Sequence, residues 1–346
     1  MTFDAWLMTT AQPACAVSYI AEQQDDNGDS AFWQARELIK KSRGATTPLF
    51  LTQGFLEDNT KQDGAFDYFN GVAGPKYAWY GQFEHVRGTD RTGTEYKMGR
   101  SDFIARALTF YDAFLKDDPQ ARKAFDDLPE VEVQDSDGRY RAEESWPPAD
   151  AMPRQTTLKP GAYVDNALNM GSPYTSTGAN LVGLGPSGLG QWSISQALAR
   201  PVRLAGEPVV DADVVTVAPR ANFVANVYDI APDGTALLVS RGARLIRQPG
   251  PQAISLKLFG QDWVFAKDHR IGVLLSGSNN EWWVHVPTFT PVVVAKSFAT
   301  LPLLAQERTE FGASTGTPRL RAFRSDTISV PAPVVALNET PFNVGG

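Results

Sequence analysis

Two apolar runs near the start of the chain, 48–53 and 77–83, are separated by a short amphipathic segment over 64–72, and each gives way at once to polar residues. Runs of this length, bounded by glycine and charged residues, predict strands, and the segment between them predicts a short helix. The first run ends in Gly54 and is followed by Glu57, Asp58 and Asn59; the second leads into Glu84 and His85. Two strands joined by a helix form a βαβ unit, in which both strands run parallel and finish at one edge of the sheet. A carboxylate loop and a histidine loop are therefore expected to lie side by side.

On either side of this unit the pattern is helical. Phe32, Ala35 and Ile39 share a face of a helix over 31–42, with Asp29 or Ser30 as its cap and Gly44 as its end. Phe103, Ala107, Phe110 and Phe114 mark a second helix over 101–116, opened by Ser101, and its aromatic stripe reads as core. From Leu128 the grammar changes to short β runs divided by Gly, Pro and Asp. Strands are predicted at 130–134, 139–143, 209–217, 222–230, 236–242, 254–259, 270–276 and 282–286. Hairpin turns are predicted at 135–138 and at Ala231-Pro-Asp-Gly-Thr235. The Pro- and Gly-rich segments 183–190 and 287–302 read as loops or edge connections.

Composition narrows the function classes. A net charge of -7 with no basic run argues against nucleic acid, whose phosphates favour a basic surface. Nothing approaches the ~18 consecutive apolar residues of a membrane-spanning helix, and the first residues have no signal-peptide pattern. The single cysteine, Cys15, excludes an internal disulfide and a cysteine-based zinc site. Asp25, Asn27 and Asp29 have the alternate spacing of a calcium loop. Ser30 stands where the turn glycine belongs and Arg36 where the bidentate glutamate belongs, so helix capping is the better reading. No metal and no cofactor are expected.

The chemistry therefore rests on the acid and histidine loops. A histidine acting as general base must be held in one tautomer, and a carboxylate accepting its second ring N–H does that. His85 is the candidate base and Glu57 its candidate orienter, with Asp58 as the alternative acid. Asn59 reads as a brace of its own turn and Arg87 as a surface ion-pair partner. His269 and His285 fall in or beside β runs and read as structural.

The wording Gly54-Phe-Leu-Glu57-Asp-Asn59 and Gly81-Gln-Phe-Glu-His85-Val-Arg-Gly88 resembles the C-terminal part of the X-Pro dipeptidyl-peptidase and cocaine-esterase-like (CocE/NonD) serine hydrolases. The phrases at 227–234 and 240–242 are similar to that family's C-terminal β domain. The resemblance implies the last strands and helices of an α/β-hydrolase domain over 1–125, followed by a jelly-roll β-sandwich over 126–346: α/β plus all-β. It implies acyl transfer from a peptide or ester substrate through a Ser, Glu57, His85 triad, in the chain order of that fold.

The serine is the missing member. The literal match Gly312-Ala-Ser314-Thr-Gly316 lies after the histidine, in β grammar with Pro318 close behind, and lacks the strand-elbow-helix context a nucleophile requires. Gly185-Pro-Ser-Gly-Leu189 lacks the final glycine. The expectation is a hydrolase portion without its nucleophile, completed by a longer chain, a partner chain or a second copy covering the open sheet. The reading of another class is a non-catalytic protein that binds carbohydrate or protein on the β-sandwich, with Trp263, Trp282 and Trp283 as stacking candidates.

Overall fold

The computed structural model describes residues 20–22, 27–57, 62, 64–165, 190–277, 287–311 and 316–345. The Asp25, Asp58, Asn59, Trp282, Trp283, His285 and Ser314 readings fall outside these residues, as does the strand expected at 282–286.

The helix expected over 31–42 is two short ones, α1 (Ala31–Arg36) and α2 (Ile39–Ser42). The break falls at Glu37 and Leu38, where the Glu37 carboxylate accepts from the Ile39 N–H at 2.9 Å and starts the second helix. Ser30 makes no side-chain cap bond. Next come β1 (Leu49–Gly54), α3 (Ala65–Gly71) and β2 (Lys76–Gly81), the predicted βαβ unit. β1 and β2 are parallel, in register from Leu49 opposite Lys76 to Gly54 opposite Gly81.

β2 carries large side chains toward both faces of its sheet. Tyr77 and Trp79 pack into one core, while Ala78 and Tyr80 pack into another, and all four are fully buried. A strand covered on both faces needs this nearly continuous apolar run. After a small hairpin, β3 (Arg91–Thr92) with β4 (Glu95–Tyr96), the helices α4 (Phe103–Leu115) and α5 (Pro119–Asp126) cover the first face. Phe103, Phe110 and Phe114 pack there against Tyr77 and Trp79, as their spacing predicts. On the other face Phe66 and Phe69 of α3 meet Tyr80 and Trp146.

Asp102, not Ser101, occupies the cap position of α4, and its carboxylate bonds no helix N–H. It is held by Arg100 and Arg106 instead, at 3.0 Å from Arg100 Nε and 2.7 Å from Arg106 Nε. Arg106 also reaches buried Glu132 at 3.0 Å, so the start of α4 is tied to the sheet by charge. Partial burial by itself would raise the Asp102 carboxyl, but the two guanidinium groups outweigh it and hold it below its ordinary value. A carboxyl lowered in the folded state stabilises above its unfolded value and loses that contribution as pH falls through the folded value. Thermal unfolding followed from neutral pH to below about pH 4 should therefore show a steeper acid-side loss for the parent than for Asp102→Asn. Parallel curves would contradict this role.

The hairpin β5 (Val131–Gln134) and β6 (Tyr140–Glu143), which the sequence reading places with the all-β part, pairs with the first sheet. β5 lies parallel to β2, and β6 turns back antiparallel to β5. The first sheet thus runs β1-β2-β5-β6 and closes with β18 (Glu310–Phe311), a return from far down the chain. Alternation marks these residues as strands but says nothing about which sheet receives them.

The remaining strands form two further sheets. β7 (Ala151–Thr157), β8 (Gly161–Val164), β10 (Val202–Gly206), β11 (Val209–Thr216), β14 (Gly250–Lys257), β15 (Gln261–Phe265) and β17 (Pro291–Leu304) make a seven-stranded antiparallel sheet. β9 (Gly190–Ile194), β12 (Ala221–Ile230), β13 (Thr235–Ile246), β16 (Arg270–Ser276) and β19 (Ile328–Ser329) make a five-stranded one. One apolar core joins them, with Val210, Ile254, Val292 and Leu301 from the first and Phe223, Val227, Ile230 and Val273 from the second. Leu320 and Phe323 of α6 (Pro318–Arg324) and Val334 of α7 (Ala332–Asn338) enter the same core.

From Pro291 onward β17 (Pro291–Leu304) replaces the loop or edge connection expected at 287–302. It is a 14-residue strand paired with β7, β8, β10 and β11. Pro291 stands at its first position and Pro302 lies opposite Pro153 of β7, so the residues without an N–H fall at a strand start and on a shared rung. The turn at 231–235 is as predicted. Gly234 has φ +87°, and the Asp233 carboxylate accepts from the Thr235 N–H at 2.9 Å. No described helix is long and apolar enough to cross a membrane, and no described group of His, Cys, Asp and Glu could hold a metal ion.

Candidate active site

Beyond their last paired residues β1 and β2 stay together. The Phe55 N–H donates to Gly81 O at 2.8 Å and the Leu56 N–H to Phe83 O at 3.2 Å. Backbone bonds therefore zip the acid loop to the histidine loop before either functional side chain begins. Gly54 permits this approach, since a Cβ there would fall 2.1 Å from Phe83 O. Gln62, almost fully buried, closes the acid loop by donating from Nε2 to Phe55 O at 3.1 Å.

Glu57 and His85 meet across the zipped loops, with Glu57 Oε2 3.0 Å from His85 Nδ1. The Glu57 side chain is 5% exposed and that of His85 is 59% exposed. A carboxylate can only accept, so the contact places a proton on Nδ1 and makes Nε2 the nitrogen that carries the ring's lone pair. The sequence left Glu57 and Asp58 as alternatives; Glu57 makes this contact, and Asp58 lies outside the described residues.

The surroundings hold residues that the sequence did not single out. Arg241 and Arg319 line, with Glu57, a small cavity of about 30 Å³, and Arg319 Nε lies 3.5 Å from Glu84 Oε2. Arg87, expected to be the ion-pair residue, instead uses its backbone N–H to bond Asp90. Gln82 and Thr317 meet beneath the histidine loop, where Thr317 Oγ1 donates to Gln82 O. None of these could be found by spacing, because each joins segments separated by up to 235 residues.

His269 is elsewhere, in the turn just before β16 of the five-stranded sheet, where its Nδ1 faces Asp229 Oδ1 at 2.8 Å. Trp263 donates to the other oxygen of Asp229 at 2.9 Å and packs edge-on against Phe323. Burial raises the Asp229 carboxyl above its ordinary value despite both bonds. Trp263 is thus a core residue and offers no exposed stacking face.

Residues 123–301 match the family model of the X-Pro dipeptidyl-peptidase C-terminal non-catalytic domain, and residues 4–87 match that of X-Pro dipeptidyl-peptidase (S15 family). Among solved structures, the fold is similar to a CocE/NonD family hydrolase from Staphylococcus aureus, at TM-score 0.60 and 13% identity over 82% of this chain and 59% of that one. It is also similar to an aminopeptidase from a marine sediment Thaumarchaeota archaeon, at TM-score 0.61 and 16% identity over 88% and 64% of the two chains. An α-amino acid ester hydrolase aligns at TM-score 0.61 and 15% identity over 84% and 62%. The chain spans about three fifths of the length of these structures. No protein with a curated description matches.

Proposed function

Because the chain belongs to the X-Pro dipeptidyl-peptidase family, we propose that it carries the orienting acid and the general base of a serine hydrolase acting on a peptide or ester. The observation that carries this reading is the 3.0 Å contact between Glu57 and His85, at adjoining ends of two parallel strands. His85 takes the serine proton through Nε2 as the serine attacks the acyl carbon, then returns it to the leaving group. Water deacylates the enzyme by the same route in reverse. Glu57 keeps the ring in the required tautomer and stabilises the imidazolium that forms in each half-reaction.

In this reading residues 1–125 are part of an α/β-hydrolase domain and residues 126–346 a jelly-roll β-sandwich domain, whose first hairpin, 131–143, extends the hydrolase sheet beside β2. Among the described residues β1 pairs on one side only, with β2. The serine would be carried by further strands on the open side of β1, supplied by further sequence or by a partner chain. The 346-residue chain alone should then leave a fluorophosphonate probe unreacted, and should gain one labelled serine when produced with a strand-GxSxG-helix segment of its family. Labelling of Ser314 in the chain alone would overturn the proposal.

A further inference from the structure

Gln82 lies three residues before His85 and is completely buried. Its side chain turns away from its own loop toward the seven-stranded sheet. Nε2 donates to Gln261 Oε1 at 2.7 Å and lies within reach of Asp262 O at 3.1 Å and Gln134 O at 3.3 Å. Its backbone N–H donates to Gln134 Oε1 at 3.1 Å. Its carbonyl accepts from Thr317 Oγ1, the same hydroxyl that caps α6 by accepting from the Leu320 N–H at 3.0 Å. One residue of the histidine loop is thereby gripped by β5, β15 and the start of α6.

This grip suits orientation better than bulk stability. A buried amide is costly unless its donors are met, and an apolar side chain of the same length would fill the space without that requirement. An amide instead fixes the loop in direction as well as position. The Gln261 carbonyl is itself held, since Oε1 also accepts from the Asp262 N–H at 2.9 Å. Glu57 is held from its own side, since the Leu56 N–H donates to Phe83 O and the Gln62 side chain donates to Phe55 O.

We propose that Gln82 is a positioning residue for His85, through which the β part of the molecule sets the ring against Glu57. The proposal rests on the reading of Glu57 and His85 given above, and its test separates the two. The 346-residue chain is labelled with ¹⁵N on its histidine rings and recorded near pH 8.5, above the ordinary histidine range of about 6.5. Signals are assigned by replacing each histidine in turn with glutamine. His85 is expected in the Nδ1–H form, and so is His269, whose contact with Asp229 serves as an internal reference for folding.

In Gln82→Met, His85 should relax to the mixed tautomers of an unrestrained imidazole while His269 keeps its form. Gln261→Met should produce the same change in part. Loss of both signals in Gln82→Met would mean misfolding, and Gln261→Met then decides. Retention of the Nδ1–H form by His85 in the folded variants overturns the positioning role. If instead the parent His85 is already mixed, or is unaffected by Glu57→Gln, the reading of the acid–base pair itself fails.

Discussion

Replacing Asp262 with alanine is expected to destabilise the protein by about 3–5 kcal/mol. Arg141 and Asp262 are 1% and 0% exposed, and join β6 of the first sheet to β15 of the second by two parallel bonds of 2.8 and 2.6 Å. Arg141 makes a third charged contact, 2.6 Å from Nε to Glu143. Removing Asp262 strands a buried guanidinium beside one remaining carboxylate, whereas Arg141→Met strands two carboxylates and should cost at least as much. The double variant Arg141→Met/Asp262→Leu should recover much of the loss, because desolvating the pair opposes its mutual attraction. Chemical denaturation of the three variants measures this. A loss under about 1 kcal/mol for Asp262→Ala would show that water reaches the pair.

The second large effect is kinetic. In a form of the protein supplied with its serine, Glu57→Gln should lower kcat about ten-thousandfold with little change in KM, since an amide can present the wrong group to Nδ1 and favour the unproductive tautomer. Glu57→Asp should fall between, because the shorter side chain keeps the charge but withdraws it from the 3.0 Å contact. Hydrolysis of an X-Pro anilide and of an amino acid ester, measured side by side, also separates the two substrate classes. Activity of Glu57→Gln within tenfold of the parent would remove Glu57 from the mechanism, and an equal loss in Asp58→Asn would move the orienting role by one residue.

What could be read in the sequence was local. The βαβ unit is legible because its two apolar runs, its short helix and its terminal glycine all lie within about a tenth of the chain, and the contact between Glu57 and His85 follows from parallel strands ending together. The hairpin at 231–235 declares itself through Asp233 and Gly234 alone. β17 was hidden by its own prolines, whose meaning depends on partners such as Pro153. The 131–143 hairpin has the same alternation whichever sheet receives it, and only its parallel contact with β2 decides. Gln82 reads as a polar residue after a strand until Gln261 and Thr317 are brought to it.

The grip of Thr317 on the Gln82 carbonyl bears on the order in which the protein is made. A ribosome delivers the histidine loop long before it delivers α6. Until residue 317 has emerged, His85 sits on a loop whose carbonyl lacks its capping hydroxyl and whose first sheet still awaits β18. Growing chains should therefore carry Glu57 and His85 near each other but not yet aligned, and alignment should arrive as a late step of synthesis. If Glu57 and His85 act as proposed, the pair would remain quiescent while the chain is still attached to the machinery that makes it.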